Sequence, residues 1–256
     1  MTNHQSPTTV PEAKRSGIPN TEPLPVVIVA CKVLQDVLER LLPAELTQNV
    51  SFMDYGLHRV PAKMTGSLQE VIADIEEPSL VVLGYGLCGN GLRGIKAGPH
   101  TLLVPRTDDC IALLLGSYQA YVREFQTVPG TYYLTKGWLE SGSNPLQEYE
   151  EYRPKYGDKE AMWIMDQQYQ NYERLVLVAR TQEDLDTYRP QAQEIAQFCA
   201  RWGMRYEEIL GSDQYVERLI EASAALGNGH SSPDWLDSDF VIIPPGGEIR
   251  QEMFMR

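Results

Sequence analysis

The chain has 256 residues, is 43% hydrophobic and carries a formal charge of −13. That length suits one large α/β domain or two lobes, and the acidic balance argues against a nucleic-acid or acidic-membrane partner, either of which needs a basic footprint. No apolar run reaches bilayer length, and the start, MTNHQSPTTVPEAKRSGIPNTEPLP, has no secretory apolar region, so the expected compartment is the cytoplasm.

Residues 1–24, rich in Pro, Ser, Thr and Asn, read as a disordered tail. A β-branched run, Val26 to Ala30, predicts the first strand. Val33, Leu34, Val37, Leu38, Leu41 and Leu42 then fall on one helical stripe that Pro43 stops. A weak strand is expected at Val50 to Met53 and a second helix through Leu68, Val71, Ile72 and Ile75. Leu80 to Leu83 reads as a buried strand running into the glycine-rich GYGLCGNGLRGIKAG. Thr101 to Val104 is another strand, and Asp108 or Asp109 is placed to cap a single helix from Ile111 to Phe125.

From about Val128 to Tyr172 the rhythm changes to an aromatic-rich stretch including Tyr132, Tyr133, Trp138, Tyr149, Trp163 and Tyr169. It reads as an inserted helical segment, because so many rings bury area. Alternation resumes with strands at Leu175 to Ala179, Tyr206 to Ile209 and Phe240 to Ile243, and helices at Pro190 to Trp202 and Gln214 to Leu226. The expected class is therefore α/β: mostly parallel sheets with covering helices, as two Rossmann-like halves (25–127 and 173–256) around an insertion at 128–172.

Three of the four cysteines sit at expected strand ends: Cys31, Cys88 and Cys110. Parallel strands deliver their carboxyl ends to one edge, where ligands bind. Thiols sent there separately form a donor set for zinc or iron, and a helix N-terminus beside a cysteine favours its thiolate. Widely spaced cysteines in a chain without a secretory signal argue against a disulfide framework or a zinc ribbon. Candidate fourth ligands are His58, in a loop at the same edge, then Asp109, with His100 ranked lower because it precedes a strand. Cys199, inside a helix, reads as core packing.

Gly84, Gly86 and Gly89 spell G-x-G-x-x-G after a strand, with Asp108 and Asp109 past the next one, a weak dinucleotide signal because Pro105, Arg106 and Thr107 intervene before the acid and the strand is third rather than first. The same GLCGNG segment approaches a nucleophile elbow with cysteine in place of serine, which makes Cys88 the nucleophile of an alternative cysteine hydrolase or transferase. Arg106, after a strand end, suits a carboxylate or phosphate clamp. Lys136-Gly137-Trp138 with Glu140, in TYYLTKGWLESG, suits a polar lid, and PPGGE adds Gly246, Gly247 and Glu248 to the candidate edge.

The segments YGLCGNGL, PRTDDCIALLLGS and PGTYYLTKGWLE resemble a bacterial and archaeal family of unknown function, over most of the chain after the tail. Members of that family lie near genes for corrinoid-dependent methyltransferases, so the resemblance implies a role around one-carbon or cobalamin metabolism, with a corrinoid among the implied cofactors. The residues themselves point to a three-thiolate zinc or iron site, used in sulfur-centred alkyl transfer on a small-molecule substrate. A non-catalytic metal or cofactor carrier for a partner enzyme is the alternative that shares the site.

Overall fold

Two sheets, one mostly parallel and one wholly parallel, organise the chain, and the composition of their strands explains why. β1 (Val26–Cys31) and β3 (Leu80–Gly84) are unbroken apolar runs, largely buried as central parallel strands must be. With β2 (Val50–Met53), β4 (Thr101–Pro105) and β8 (Phe240–Ile243) they form a five-stranded sheet in the order β2-β1-β3-β4-β8. All its neighbours are parallel except β4 and β8. β5 (Thr131–Thr135), β6 (Arg174–Ala179) and β7 (Arg205–Leu210) form a separate three-stranded parallel sheet. This computed structural model describes residues 22–59, 61–230 and 233–256; most of the expected tail lies outside them.

The helices join the strands largely as the apolar stripes predict. One 3-10 turn (Lys32–Leu34) separates β1 from α1 (Gln35–Leu41), and α2 (Pro61–Ala73) leads towards β3. The helix expected from Ile111 to Phe125 is two helices, α3 (Ile111–Leu115) and α4 (Tyr118–Thr127). Gly116 at φ 89° ends the first in a left-handed cap, and the Ser117 hydroxyl accepts from the Ala120 N–H at 3.0 Å to start the second. Between β5 and β6 lie α5 (Lys136–Glu140), α6 (Pro145–Tyr156) and α7 (Asp158–Tyr169). α8 (Gln182–Cys199) begins eight residues before the expected Pro190, capped by the Thr181 hydroxyl on the Asp184 N–H, and carries Pro190 inside it. α9 (Gln214–Gly227) and α10 (Leu236–Asp239) lead back to β8.

The expected halves need redrawing. The stretch 128–172 is not only a helical insertion: it holds β5, which pairs in parallel with β6, Tyr132 opposite Leu175. Residues 173–256 do not form a self-contained half either. β8 returns to the first sheet, with Leu102 opposite Ile243, and α9 packs Val216, Leu219 and Ala222 into the core beneath that sheet. Strand β6 serves both cores, Val176 and Val178 facing the first while Leu175 and Leu177 face the second, as the two-residue period of a strand requires. The aromatic residues of 128–172 mainly fill the second core; Tyr169 lies 5.7 Å from Tyr132 and 5.3 Å from Trp202 between ring centroids. Among the described residues no helix is long and apolar enough to cross a membrane.

Candidate functional site at the strand carboxyl ends

The first sheet brings its three cysteine-bearing segments together by close backbone approach. Gly84 has no room for a Cβ, which would lie 2.5 Å from the Ala30 Cβ, so the end of β3 rides directly against β1. A Cβ on Gly86 would lie 2.6 Å from the carbonyl of Asp109. There the turn after β3 is clasped to the segment after β4, the Leu87 N–H donating to the Thr107 carbonyl at 2.9 Å and the Cys88 N–H to the Asp108 carbonyl at 2.8 Å. Two of the three glycines of G-x-G-x-x-G are thus accounted for by packing. Gly89 supplies a positive φ of 61° in the turn. Turns rather than a helix follow, so the loop lacks the helix N-terminus that a dinucleotide pyrophosphate uses.

Cys31, Cys88 and Cys110 all lie at this edge, exposed by 0, 8 and 2%. Each affects another's ionisation: Cys31 and Cys88 both raise the pKa of Cys110, and Cys31 raises that of Cys88. Tyr85, wholly buried between them, is raised by burial and then by all three thiols. Backbone N–H groups face the sulfurs and work in the opposite direction, from Val33 onto Cys31 and from Gly86 and Cys110 onto Cys88. Burial outweighs them, holding Cys31 at about 11 and pushing Cys88 and Cys110 well up. Burial thus works against the thiolate forms expected from nearby helix N-termini. The helices are too short, and the site too dry, for backbone dipoles to offset desolvation.

Cys88 is also held at φ 49°, followed by Gly89 at 61° and Asn90 at 69°. A left-handed cysteine costs about 1–2 kcal/mol, and strain of that kind collects at functional sites. Asp109 joins the cluster as a neighbour of Cys88 and Cys110. Its carboxylate accepts from the Ile111 N–H at 2.8 Å and the Tyr121 hydroxyl at 3.3 Å, and burial lifts it to about 6. His58 belongs to the 3-10 turn Tyr55–Arg59 beyond β2, and its side chain lies outside the described residues. Among the described residues no three Cys, His, Asp or Glu side chains stand with donor atoms ready to hold a metal ion.

Other expected site residues fall elsewhere. His100 is buried at the opposite edge, accepting the Ser79 N–H on Nδ1 at 3.3 Å. PPGGE also lies at that opposite edge, not the candidate one, because β8 runs antiparallel: the Gly246 N–H bonds the Gly98 carbonyl at 2.8 Å and Glu248 bridges Lys96. Arg106 holds the chain's end, donating to the carbonyls of Asp237 at 3.3 Å and Met255 at 2.6 Å. Cys199 is packed in the second core.

Beside the thiols the carboxyl ends of both sheets converge on a cleft of about 300 Å³. Lys32, Asp36 and Tyr55 come from the first sheet's side; Thr135, Lys136, Glu140 and Arg180 from the second. Lys136, in the lid-like TKGWLE segment, stands 4.0 Å from Asp184. Arg180 was overlooked although it directly follows β6, where the edge rule would have found it. Its side chain is 6% exposed and bridges the two sheets' sides, Nη2 to Asp36 at 2.6 Å and Nε to Asp213 at 3.1 Å, while Nη1 is buried with no hydrogen-bond partner among the described residues. Tyr55, also overlooked, seats against Gly137, where a Cβ would come within 2.6 Å of its ring.

The fold and its edge define an α/β protein with two mostly parallel sheets and a buried thiol cluster beside a cleft between them. The chain belongs to the family described as protein of unknown function, DUF1638, which matches residues 52–220. No curated protein and no solved structure shows significant similarity to it.

Proposed function

We propose that Cys31, Cys88 and Cys110 form a three-thiolate site for zinc or iron, used in sulfur-centred alkyl or methyl transfer on a small-molecule substrate. The observation that carries this reading is the convergence of three buried sulfurs from three strand ends, with backbone N–H groups facing at least two of them. Such outer hydrogen bonds orient and tune thiolate ligands. Bringing the sulfurs onto one cation requires side-chain rotation and the loss of three protons, which a metal supplies the free energy to do. The donor chemistry fits a soft or borderline metal, with Asp109 or His58 offering a fourth position. A metal bound this way supplies a nucleophilic, electron-rich thiolate environment, better suited to alkyl transfer than to water activation.

A carrier that delivers metal or a corrinoid to a partner enzyme shares the site and is separated by transfer without turnover. A hydrolase using Cys88 alone is disfavoured by the deep burial of that thiol, which raises its pKa. Metal analysis of protein purified without oxygen, before and after reconstitution with zinc or iron, tests the proposal. One metal per chain, reduced in each Cys→Ser variant, is the expected result; no stoichiometric metal after reconstitution would sink it.

A further inference from the structure

The cleft beside the thiols has charged walls that the thiol site does not explain. Lys32 stands over the Tyr55 ring at 5.8 Å, and among the described residues no carboxylate is paired with it. Glu140 accepts the Tyr188 hydroxyl and, among the described residues, has no cationic partner. It lies close enough to Tyr55 to raise that phenol, so Lys32 and Glu140 flank the same ring from the two sheets' sides. Arg180 adds a buried guanidinium with an unpartnered Nη1, and Asp36 shows that a carboxylate is accommodated against it, at 2.6 Å.

A polyanion is a poor occupant, because Asp36, Glu140 and Asp184 line the same walls. A purely apolar ligand would desolvate charges without pairing them. The volume, about 300 Å³, is at the small end of ligand sites and suits a molecule of amino-acid size rather than a nucleotide.

We propose that the cleft binds a small zwitterion of amino-acid type, its carboxylate directed to Lys32 and Arg180 and its ammonium to Glu140. This rests on the cleft alone and not on the thiol site, so the test is run on the full chain both as purified and after EDTA treatment.

Each proteinogenic L-amino acid is screened at millimolar concentration by thermal unfolding. Every hit is followed by its deaminated and decarboxylated analogues, and by Lys32→Met and Glu140→Gln, both exposed positions whose substitution leaves the core untouched. At about ten times Kd a bound ligand raises the unfolding midpoint of a chain this size by about 3 °C. The expected result is such a shift from at least one amino acid, lost in both analogues and both variants, with or without EDTA. No shift from any amino acid, an equal shift from either analogue, or a shift that survives both substitutions would overturn the proposal.

Discussion

Gly86→Ala probes the contact that draws two of the three thiols together. The added methyl would sit 2.6 Å from both the carbonyl carbon and oxygen of Asp109 and 2.7 Å from its Cα. These are backbone atoms and cannot swing aside, so one segment must move by most of an ångström to restore ordinary contact. That movement loosens the two bonds clasping the segments, Leu87 N–H to Thr107 and Cys88 N–H to Asp108. Overpacking of this kind costs about 1–3 kcal/mol and each of the two weakened hydrogen bonds about 1 kcal/mol, so the variant should lose about 3–5 kcal/mol. For a chain this long the midpoint should fall by roughly 5–10 °C. Urea unfolding of the full chain reads the loss directly. Gly94→Ala is the control, because at φ 86° a methyl there meets open space, and left-handed strain alone costs about 1–2 kcal/mol. A Gly86→Ala protein as stable as the wild type would refute the close approach of the cysteine segments.

Other outcomes follow from the same packing. All four cysteines should label slowly with iodoacetamide at neutral pH and fully after unfolding, read by mass spectrometry, because burial raises every thiol; rapid native labelling of Cys88 would restore the hydrolase reading. Burial lowers the pKa of His100, so its neutral form stabilises the fold above its unfolded pKa of about 6.5, and that contribution fades as pH falls below this value. His100→Asn, which keeps an acceptor for the Ser79 N–H, should flatten the acid limb of stability measured by urea unfolding; an unchanged slope would contradict this. Arg180→Met removes the cation of Asp36 and one of the two cations of Asp213, which keeps Arg40 at 2.5 Å. The expected loss is about 2–4 kcal/mol, below a fully buried pair because Asp36 is partly solvated; a loss under about 0.5 kcal/mol, the range of ordinary surface changes, would count against the bridge.

The apolar runs carried most of the fold. Val26 to Ala30 and Leu80 to Leu83 declare themselves because central parallel strands need unbroken apolar residues, and every strand expected from the sequence is present. β5 is hard to read from the sequence because TYYLT lies inside an aromatic-rich stretch, although β-branched and aromatic residues after Pro129-Gly130 are strand chemistry. The direction of β8 is not written in its four residues; it is set by α9 and α10 returning the chain to the first sheet, and that misplaced PPGGE. For the site, the edge rule located Cys31, Cys88 and Cys110 but not their protonation, which depends on how completely the assembled fold excludes water. Arg180 was within reach of the same rule. The placement of Lys32 and Glu140 on facing walls of the cleft was not, because it depends on how two separate sheets meet.

Cobalt(II) titration under anaerobic conditions tests the three-thiolate claim most directly, because each sulfur bound to cobalt contributes thiolate-to-metal absorption in the near ultraviolet. The account predicts one cobalt per chain, displaced by zinc, with the band reduced by about one third in each of Cys31→Ser, Cys88→Ser and Cys110→Ser and unchanged in Cys199→Ser. No charge-transfer band, or a band that survives substitution of all three, would contradict it.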